Sequence, residues 1–248
     1  MRIAHVNQDP GLSPRPKKGA AVHLDAMRRA FADLGAQVLP VDAADSRGVR
    51  AALDTALEVG PVDMIYERYA LGSGAAFEVA HAVGARFVLE VNAPLEEEAQ
   101  RYRSDSNSAP GTDPDLRRRM FEQADTVLAV SSAVADYAAR NGASEDNLRI
   151  QPNGVDLERF RPRGEDDELR RRLVPAGRVV VGFHGRMRAW HNGPMLVEAA
   201  AELSDNGVDL HLLLVGEGDF DELLEGRVDP GRVTLAPWVA HEDVGRYV

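Results

Sequence analysis

The sequence contains no cysteine, which excludes disulfide bonds, thiolate metal sites and a cysteine nucleophile, and it fits a reducing compartment. It also lacks any apolar run long enough to cross a bilayer, and its first residues, MRIAHVNQD, have the pattern of a strand rather than of a signal peptide. We therefore expect a cytoplasmic protein without a transmembrane segment. An excess of basic residues is missing too, because the formal net charge is -11. This charge argues against nucleic acid as the main partner.

The sequence does contain enough apolar residues for one large or two modest α/β domains, at 44% of 248 residues. Short β-rich runs alternate with segments of helical period, an alternation typical of parallel, doubly wound sheets. In the first half we predict six strands, at Arg2 to Asn7, Gln37 to Val41, Asp63 to Tyr66, Phe87 to Val91, Thr126 to Val130 and Leu148 to Gln151.

Two helices of the first half are marked by their end signals. A helix over roughly Ala133 to Arg140 is capped by Ser131 or Ser132. Another helix ends at Gly35 and has an apolar stripe of Leu24, Met27, Phe31 and Leu34. The polar, turn-rich segment Ser104 to Pro114 is predicted to be a loop.

The second half repeats the alternation on a smaller scale. Strands are predicted at Arg178 to Phe183, Asp209 to Val215 and Arg232 to Leu235, and Pro194 suits the first turn of a helix between the first two. About three strands are fewer than a doubly wound sheet usually has. We therefore expect an incomplete second domain, with apolar surface at Tyr247, Val248 and the strand edge near Val233, covered by a partner chain or a domain exchange.

The two halves meet at PNGVDLERFRP, residues 152–162. Pro152, Asn153 and Gly154 favour a sharp turn, and Asp156 can cap a short helix. These four residues are the predicted hinge. The run resembles the interdomain segment of the retaining glycosyltransferases of family 4, which have the GT-B fold.

The resemblance implies two Rossmann-like doubly wound α/β domains and transfer of a sugar, with retention of configuration, from a UDP- or GDP-linked donor to an acceptor hydroxyl. It places an acceptor-side domain at residues 1–155, a linker helix region at 156–176 and a partial donor domain at 177–248. The acceptor would be a sugar, a lipid or another small molecule. No metal and no other cofactor is expected.

The loop after the first strand is the first candidate site. Lys17, Lys18 and Gly19 lie where a strand passes into a helix, so ammonium groups, backbone N–H groups and the helix dipole can converge on an anion. The segment through His23 is similar to the family's GGAxxH loop, which lies over the donor phosphates and the acceptor site. Lys18 replaces the first glycine of that motif. The resemblance thus implies donor contact at Gly19 and acceptor contact at Lys17, Lys18 and His23.

A second candidate site is GRMRAWHNG, where another strand passes into a helix. Arg186 offers a planar fork for phosphate oxygens at a helix N-terminus. The stretch resembles the family's GRLxxxKG motif, whose Arg and Lys bind the donor diphosphate, with His191 at the lysine position. A protonated imidazole there could replace the lysine charge. Glu217, in a segment similar to the family's VGxGP loop, is expected near the nucleoside.

Polar residues also end two strands of the first half, in Glu67-Arg68 and in LEVNAP around Asn92. Such groups commonly satisfy each other or cap the next helix. The resemblance places Arg68 and Asn92 on the acceptor side. Asn92 stands where the family often has a histidine, and since an amide cannot be a general base, its role would be positioning. No catalytic residue is assigned.

Two DxD strings, Asp113-Pro-Asp115 and Asp219-Phe-Asp221, fall in predicted turn or cap contexts and give weak support for a metal site. Two other functions stay open: a nucleotide-binding module without turnover, and a NAD-dependent Rossmann enzyme, which the missing glycine fingerprint disfavours. Because the second half lacks the family's later segment with two glutamates that grips the donor, we expect the 248-residue chain alone to be inactive or to bind donor only.

Overall fold

The computed structural model of the protein describes residues 1–9, 19–102, 112–161 and 168–247. The chain forms two compact units, Met1–Gly154 (unit 1) and Val155–Val248 (unit 2). Lys17, Lys18, Val248 and most of the predicted loop from Ser104 lie outside the described residues. No helix in the described ranges is both long and apolar enough to span a membrane.

Unit 1 is built on a six-stranded, fully parallel sheet in the order β2-β1-β3-β4-β5-β6. All six predicted strands are confirmed, with ends that differ by one or two residues. Their bounds are Arg2–Asn7 (β1), Gln37–Asp42 (β2), Met64–Arg68 (β3), Arg86–Val91 (β4), Thr126–Ala129 (β5) and Leu148–Ile150 (β6).

Six helices connect these strands over the described residues: Gly19–Asp33 (α1), Ser46–Val59 (α2), Ala75–Val83 (α3), Leu95–Tyr102 (α4), Pro114–Gln123 (α5) and Ser132–Arg140 (α6). The Ser131 side chain accepts a hydrogen bond from the backbone N–H of Val134 and so caps α6 as predicted. Leu34 was expected in the apolar stripe of α1, and that expectation is wrong. It lies one residue beyond the helix and is 86% exposed.

The sheet of unit 1 is covered on both faces. On one face the buried residues of α2, α3, α5 and α6 pack against Val6, Ile65 and Leu89. On the other face Met27 and Phe31 of α1 pack beside Ile3, Tyr66 and Val88. The chain therefore winds in opposite directions from β1, and the crevice at the carboxyl ends of β1 and β3 is the switch point where doubly wound sheets bind ligands.

Unit 2 contains a three-stranded parallel sheet in the order β7-β8-β9 over the described residues. The three predicted strands are confirmed, at Val179–Arg186 (β7), Leu210–Glu217 (β8) and Val233–Ala236 (β9). The helices are Glu168–Leu173 (α7), Gly193–Asp205 (α8), Phe220–Leu224 (α9) and His241–Val244 (α10). Pro194 stands in the first turn of α8, as predicted.

The expected apolar surface of unit 2 is only partly where the sequence suggested. Tyr247 packs against the cluster of Leu213 and Val215, and Val233 packs against Leu212, so both are half-buried rather than open. On the strands of unit 2, exposed apolar side chains include Val179 at the start of β7, with 58% exposure, and Leu235 on the edge strand β9, with 45%.

The division between the units falls inside the predicted hinge, after Gly154. Beyond it, the Asp156 carboxylate accepts hydrogen bonds from the backbone N–H groups of Glu158 and Arg159 at 3.0 and 3.1 Å. These bonds make one turn at residues 157–159 rather than the expected short helix.

Candidate functional site

A cluster of polar side chains lies at the carboxyl end of the unit 1 sheet, centred on the carboxylate of Glu90. We call it the Glu90 cluster: His23, Tyr66, Glu90, Asn92 and Asn153. His23 Nε2 is 2.7 Å from Glu90 Oε1, and the Tyr66 hydroxyl donates to Oε2 at 2.6 Å. Asn92 Nδ2 also donates to Glu90, while its own amide oxygen accepts from Asn153 Nδ2 at 3.3 Å. A helix, two strands and the residues after β6 thus meet at one buried carboxylate.

The hydrogen bonds keep Glu90 ionised although it is buried. Burial raises the pKa of this carboxyl, but the hydrogen bonds from His23 and Tyr66, with the His23 charge and the Asn92 amide, outweigh burial and lower it to about 2. Glu90 is therefore a carboxylate at neutral pH. The same contact raises the pKa of the Tyr66 hydroxyl, whose burial contributes most to that shift.

His5 lies behind the cluster, with its ring against those of Phe31 and Tyr66 at centroid distances of 6.0 and 5.1 Å. The residue is 1% exposed, and neither ring nitrogen has a hydrogen-bond partner among the described residues. Burial, followed by the positive charge of Arg28, lowers the pKa of His5 to about 4. His5 is thus a neutral packing residue beneath the site.

Arg68 ends β3, the strand that also carries Tyr66 of the Glu90 cluster. Across the β3 and β4 pair it stands opposite Glu90 in register, and its Nη1 is 3.9 Å from the Asp9 carboxylate. Its side chain is 15% exposed. The structure therefore places Arg68, His23 and Asn92 together at the carboxyl edge of the sheet. Gly19 is the first residue of α1, one turn before His23.

A second buried carboxyl, Glu67, points to the other face of the same strand. It is fully buried, and neither carboxylate oxygen has a hydrogen-bond partner in the described part of the chain. Burial raises the pKa of Glu67 to about 7, and the Ser73 hydroxyl opposes this shift. A carboxyl in this state is largely protonated in mildly acidic solution.

In unit 2, Arg186 and Glu217 form an ion pair at the carboxyl ends of β7 and β8. The two residues are register partners across the strands, and Arg186 Nη2 donates to Glu217 Oε2. About half of each side chain is exposed. Glu217 therefore holds the guanidinium of Arg186 at the point where the chain leaves the sheet towards α8.

Two glycines let the strands approach closely just before this pair. Gly185 and Gly216 are register partners with φ of +124° and +131°. A Cβ on Gly216 would lie 2.0 Å from the carbonyl oxygen of Gly185. Only glycine fits at Gly216, since both the backbone conformation and the contact exclude a side chain.

The ring of His191 is held by a backbone hydrogen bond in the turn that follows β7. Its Nδ1 accepts a hydrogen bond from the backbone N–H of Arg188 at 3.1 Å, which requires an unprotonated Nδ1 and leaves the proton on Nε2. The ring also packs beside Phe183 at a centroid distance of 5.3 Å. Protonation of Nδ1 would break the contact with the Arg188 backbone.

The two DxD strings have local structural roles. Asp113 caps α5 by accepting from the backbone N–H of Leu116 at 2.9 Å, and Asp219 precedes α9, where its carbonyl accepts from Leu223. Within the described residues no group of three or more His, Cys, Asp or Glu side chains could hold a metal ion. An open cleft of about 400 Å³ in unit 2 lies against Val180, Phe183 and Val215 and does not include Arg186 or His191.

Sequence reasoning found His23, Arg68 and Asn92 but assigned no role to Glu90 or Tyr66. Their only signal was a carboxylate inside the otherwise apolar run FVLEV and a tyrosine inside IYER, next to two charged residues. Glu90 contacts His23, whereas Glu67 does not. This difference depends on which face of the sheet each side chain occupies and on the packing of α1. The bond from Arg188 to His191 likewise depends on the turn after β7.

Comparison with known proteins agrees with this architecture. A solved structure of sucrose-phosphate synthase from Thermosynechococcus elongatus matches 99% of this chain and 72% of that chain, with a TM-score of 0.77 and 18% identity. A crystal structure of Anabaena HepE in complex with UDP-glucose matches 100% of this chain and 71% of that chain, with a TM-score of 0.64 and 20% identity. The fold is therefore that of the GT-B glycosyltransferases, with a small second domain.

Residues 39–159 match the family model for Glycosyltransferase Family 4. The resemblance to family 4 glycosyltransferases found in the sequence is thus confirmed over these residues. Among relatives, D-inositol 3-phosphate glycosyltransferase of Acidothermus cellulolyticus is 31% identical over 201 residues, which are 77% of this chain and 39% of that protein. The chain therefore spans well under half the length of that relative.

Proposed function

We propose that this chain serves in the transfer of a sugar from a nucleotide diphosphate sugar to an acceptor hydroxyl, with retention of configuration. The observation that carries the proposal is Arg186, a half-exposed guanidinium that is held by Glu217 at the end of β7, from which the chain continues into α8. A guanidinium and a helix N-terminus are the groups that stabilise a leaving diphosphate. The structurally similar HepE forms a complex with UDP-glucose, which supports the same donor class for this chain.

Glu217 is proposed to prepare Arg186 for the diphosphate. Its carboxylate fixes one side of the guanidinium, whose planar fork still offers further N–H groups to phosphate oxygens. Glu217 is also proposed to contact the nucleoside of the donor. Gly19 is proposed, in addition to Arg186, to contact the donor phosphates. His191 is assigned to the diphosphate as a neutral Nε2–H donor.

Unit 1 is proposed to bind the acceptor through His23, Arg68 and Asn92, together with Lys17 and Lys18. The first three lie at one sheet edge beside the switch point between β1 and β3. Pro152, Asn153, Gly154 and Asp156 are proposed as the hinge, and the position of the division between the units after Gly154 supports this assignment.

Nucleotide binding can be tested by thermal shift with UDP, GDP and NAD, because a ligand that prefers the folded state raises the midpoint of unfolding. We expect UDP or GDP to raise the midpoint of unit 2, whose unfolding the tryptophans Trp190 and Trp238 report. A rise with NAD alone would overturn the proposal in favour of a nicotinamide enzyme.

The 248-residue chain is proposed to bind donor without completing transfer, since the donor-side sheet has three strands over the described residues. Nucleotide release from a panel of UDP- and GDP-sugars should stay at the rate of spontaneous hydrolysis. Mass spectrometry of acceptor products provides the second readout. Acceptor-dependent release by this chain would show that fewer residues suffice for the donor site.

A further inference from the structure

Glu90 and His23 form a buried carboxylate and imidazole pair, in which the sequence resemblance gives a role to His23 but none to Glu90. The Glu90 side chain is 5% exposed and the His23 side chain 19% exposed, at a separation of 2.7 Å. The carboxylate is thus sealed inside unit 1, whereas the ring reaches solvent. A ligand at the sheet edge can meet His23 but not Glu90.

The contact decides which nitrogen of the neutral ring carries the proton. Glu90 is ionised and can only accept hydrogen bonds, so His23 Nε2 must be the donor in their contact. In a neutral imidazole the other nitrogen, Nδ1, is then an acceptor. Within the described residues no hydrogen bond to Nδ1 is formed, and this atom remains as the acceptor that the ring can offer.

The neighbouring charged groups have partners of their own. Arg68, opposite Glu90 in register, lies with Nη1 3.9 Å from the Asp9 carboxylate. Arg28 on α1 forms a bidentate pair with Asp42 at 2.8 and 2.9 Å, and His5 is neutral and buried. On the far side, Tyr66 and Asn92 both donate to Glu90, and Asn153 holds Asn92 in turn. Asn92 is thereby engaged in orienting Glu90, so the cluster is organised around a single orientation of the carboxylate.

We propose that Glu90 is a positioning residue that acts through His23: it fixes the Nε2–H tautomer, so that Nδ1 accepts a hydrogen bond from a hydroxyl of a neutral, sugar-like acceptor. The inference rests on the proposed function, because it names the chemistry of the acceptor-side group in unit 1. It also gives Asn92 and Tyr66 a shared role as supports of Glu90.

The first test is nitrogen NMR of the histidine rings at pH 8. The wild-type chain should show His23 as one tautomer, with the proton on Nε2. Glu90→Gln should give a mixture, because an amide can donate as well as accept. Glu97→Gln, which removes an exposed partner of Arg140 in the same unit, is the matched control and should leave the ring unchanged. A wild-type ring that carries its proton on Nδ1 would overturn the proposal without any variant.

The second test titrates myo-inositol, D-glucose and inorganic phosphate while following the same signals. A neutral polyol should shift the Nδ1 resonance and leave Nε2 in place, and Glu90→Gln should weaken that binding roughly tenfold. A response to phosphate alone, or equal binding by wild type and Glu90→Gln, would contradict the proposal. Titration with UDP, followed by tryptophan fluorescence of unit 2, distinguishes failure of this inference from failure of the proposed function. If UDP binds but no polyol shifts the His23 ring signals, only this inference is refuted.

Discussion

Two buried side chains of unit 1 shift the pH dependence of its stability in opposite directions. His5 has its pKa lowered to about 4 in the folded chain, so its contribution is present above its ordinary pKa of 6.5 and is lost as the pH falls to about 4. Glu67 has its pKa raised to about 7, so its contribution is present below 4.5 and is lost as the pH rises to about 7. Between pH 4.5 and 6.5 the two residues change the free energy of unfolding of unit 1 with opposite slopes against pH, and these slopes cancel.

Glu67→Gln should reveal the pH dependence of stability that His5 contributes, because the opposing contribution of Glu67 is removed. The free energy of unfolding of unit 1 should then rise by about 3 kcal/mol between pH 4 and 6.5, at about 1.4 kcal/mol for each unit of pKa shift. Hydrogen exchange of the β1 and β3 amides measures unit 1 alone. Glu78→Gln, an exposed partner of Arg50, is the control. Parallel profiles for Glu67→Gln and wild type would show that Glu67 does not titrate in this range.

His191 offers a prediction about charge at the donor site. Because its Nδ1 accepts from the Arg188 backbone, the ring adds no positive charge, and His191→Lys should strengthen UDP binding several-fold at pH 7.5. His191→Gln, which keeps a neutral donor, should change the affinity by less than about twofold. Calorimetry measures both. Weaker binding by His191→Lys would mean that the geometry of the imidazole matters more than charge.

At the scale of elements, the close approach of β7 and β8 supports the donor site. Gly216→Ala should destabilise unit 2 by more than about 2 kcal/mol, since it combines positive-φ strain with a backbone clash at Gly185. Gly207→Ala is matched, because Gly207 also has a positive φ, +84°, but nothing within 4 Å of a Cβ. Tryptophan fluorescence in urea measures both. Equal losses of unfolding free energy in Gly216→Ala and Gly207→Ala would show that the clash with Gly185 does not destabilise unit 2 further.

The elements themselves were predictable because each depends on local pattern. Apolar runs bounded by turn residues identified the nine strands found among the described residues, and Ser131 and Pro194 identified helix starts. Leu34 failed because its apolar character fitted the period of α1, although the helix ends at Asp33. Helical period alone does not tell where the last turn stops.

The sites were predictable only in part, because side-chain partners depend on tertiary packing. Family motifs located Arg186, His191 and His23, but the ion pair of Arg186 with Glu217 follows from the register of β7 and β8. The convergence on Glu90 likewise needs α1, β3 and β4 in place together. A sequence shows which residues can do chemistry, whereas their protonation states are set by contacts between distant segments.

For the molecule as a whole, we expect nucleotide binding that does not depend on a metal. Cationic side chains and a helix N-terminus can balance the diphosphate charge, so UDP affinity should be the same, within about twofold, with EDTA and with added manganese. Calorimetry under the two conditions is the measurement. Strict dependence on manganese would require a metal-based account of the donor site.

The central claim is that unit 2 binds the diphosphate of a nucleotide sugar through Arg186, and titration calorimetry with UDP and uridine tests it most directly. Arg186→Ala should weaken UDP binding by about 1.5 to 3 kcal/mol, the contribution of a charge-assisted hydrogen bond, and leave uridine binding unchanged. Arg227→Ala, at an exposed arginine of the same unit, should affect neither ligand. Equal losses of UDP and uridine binding in Arg186→Ala would contradict the account.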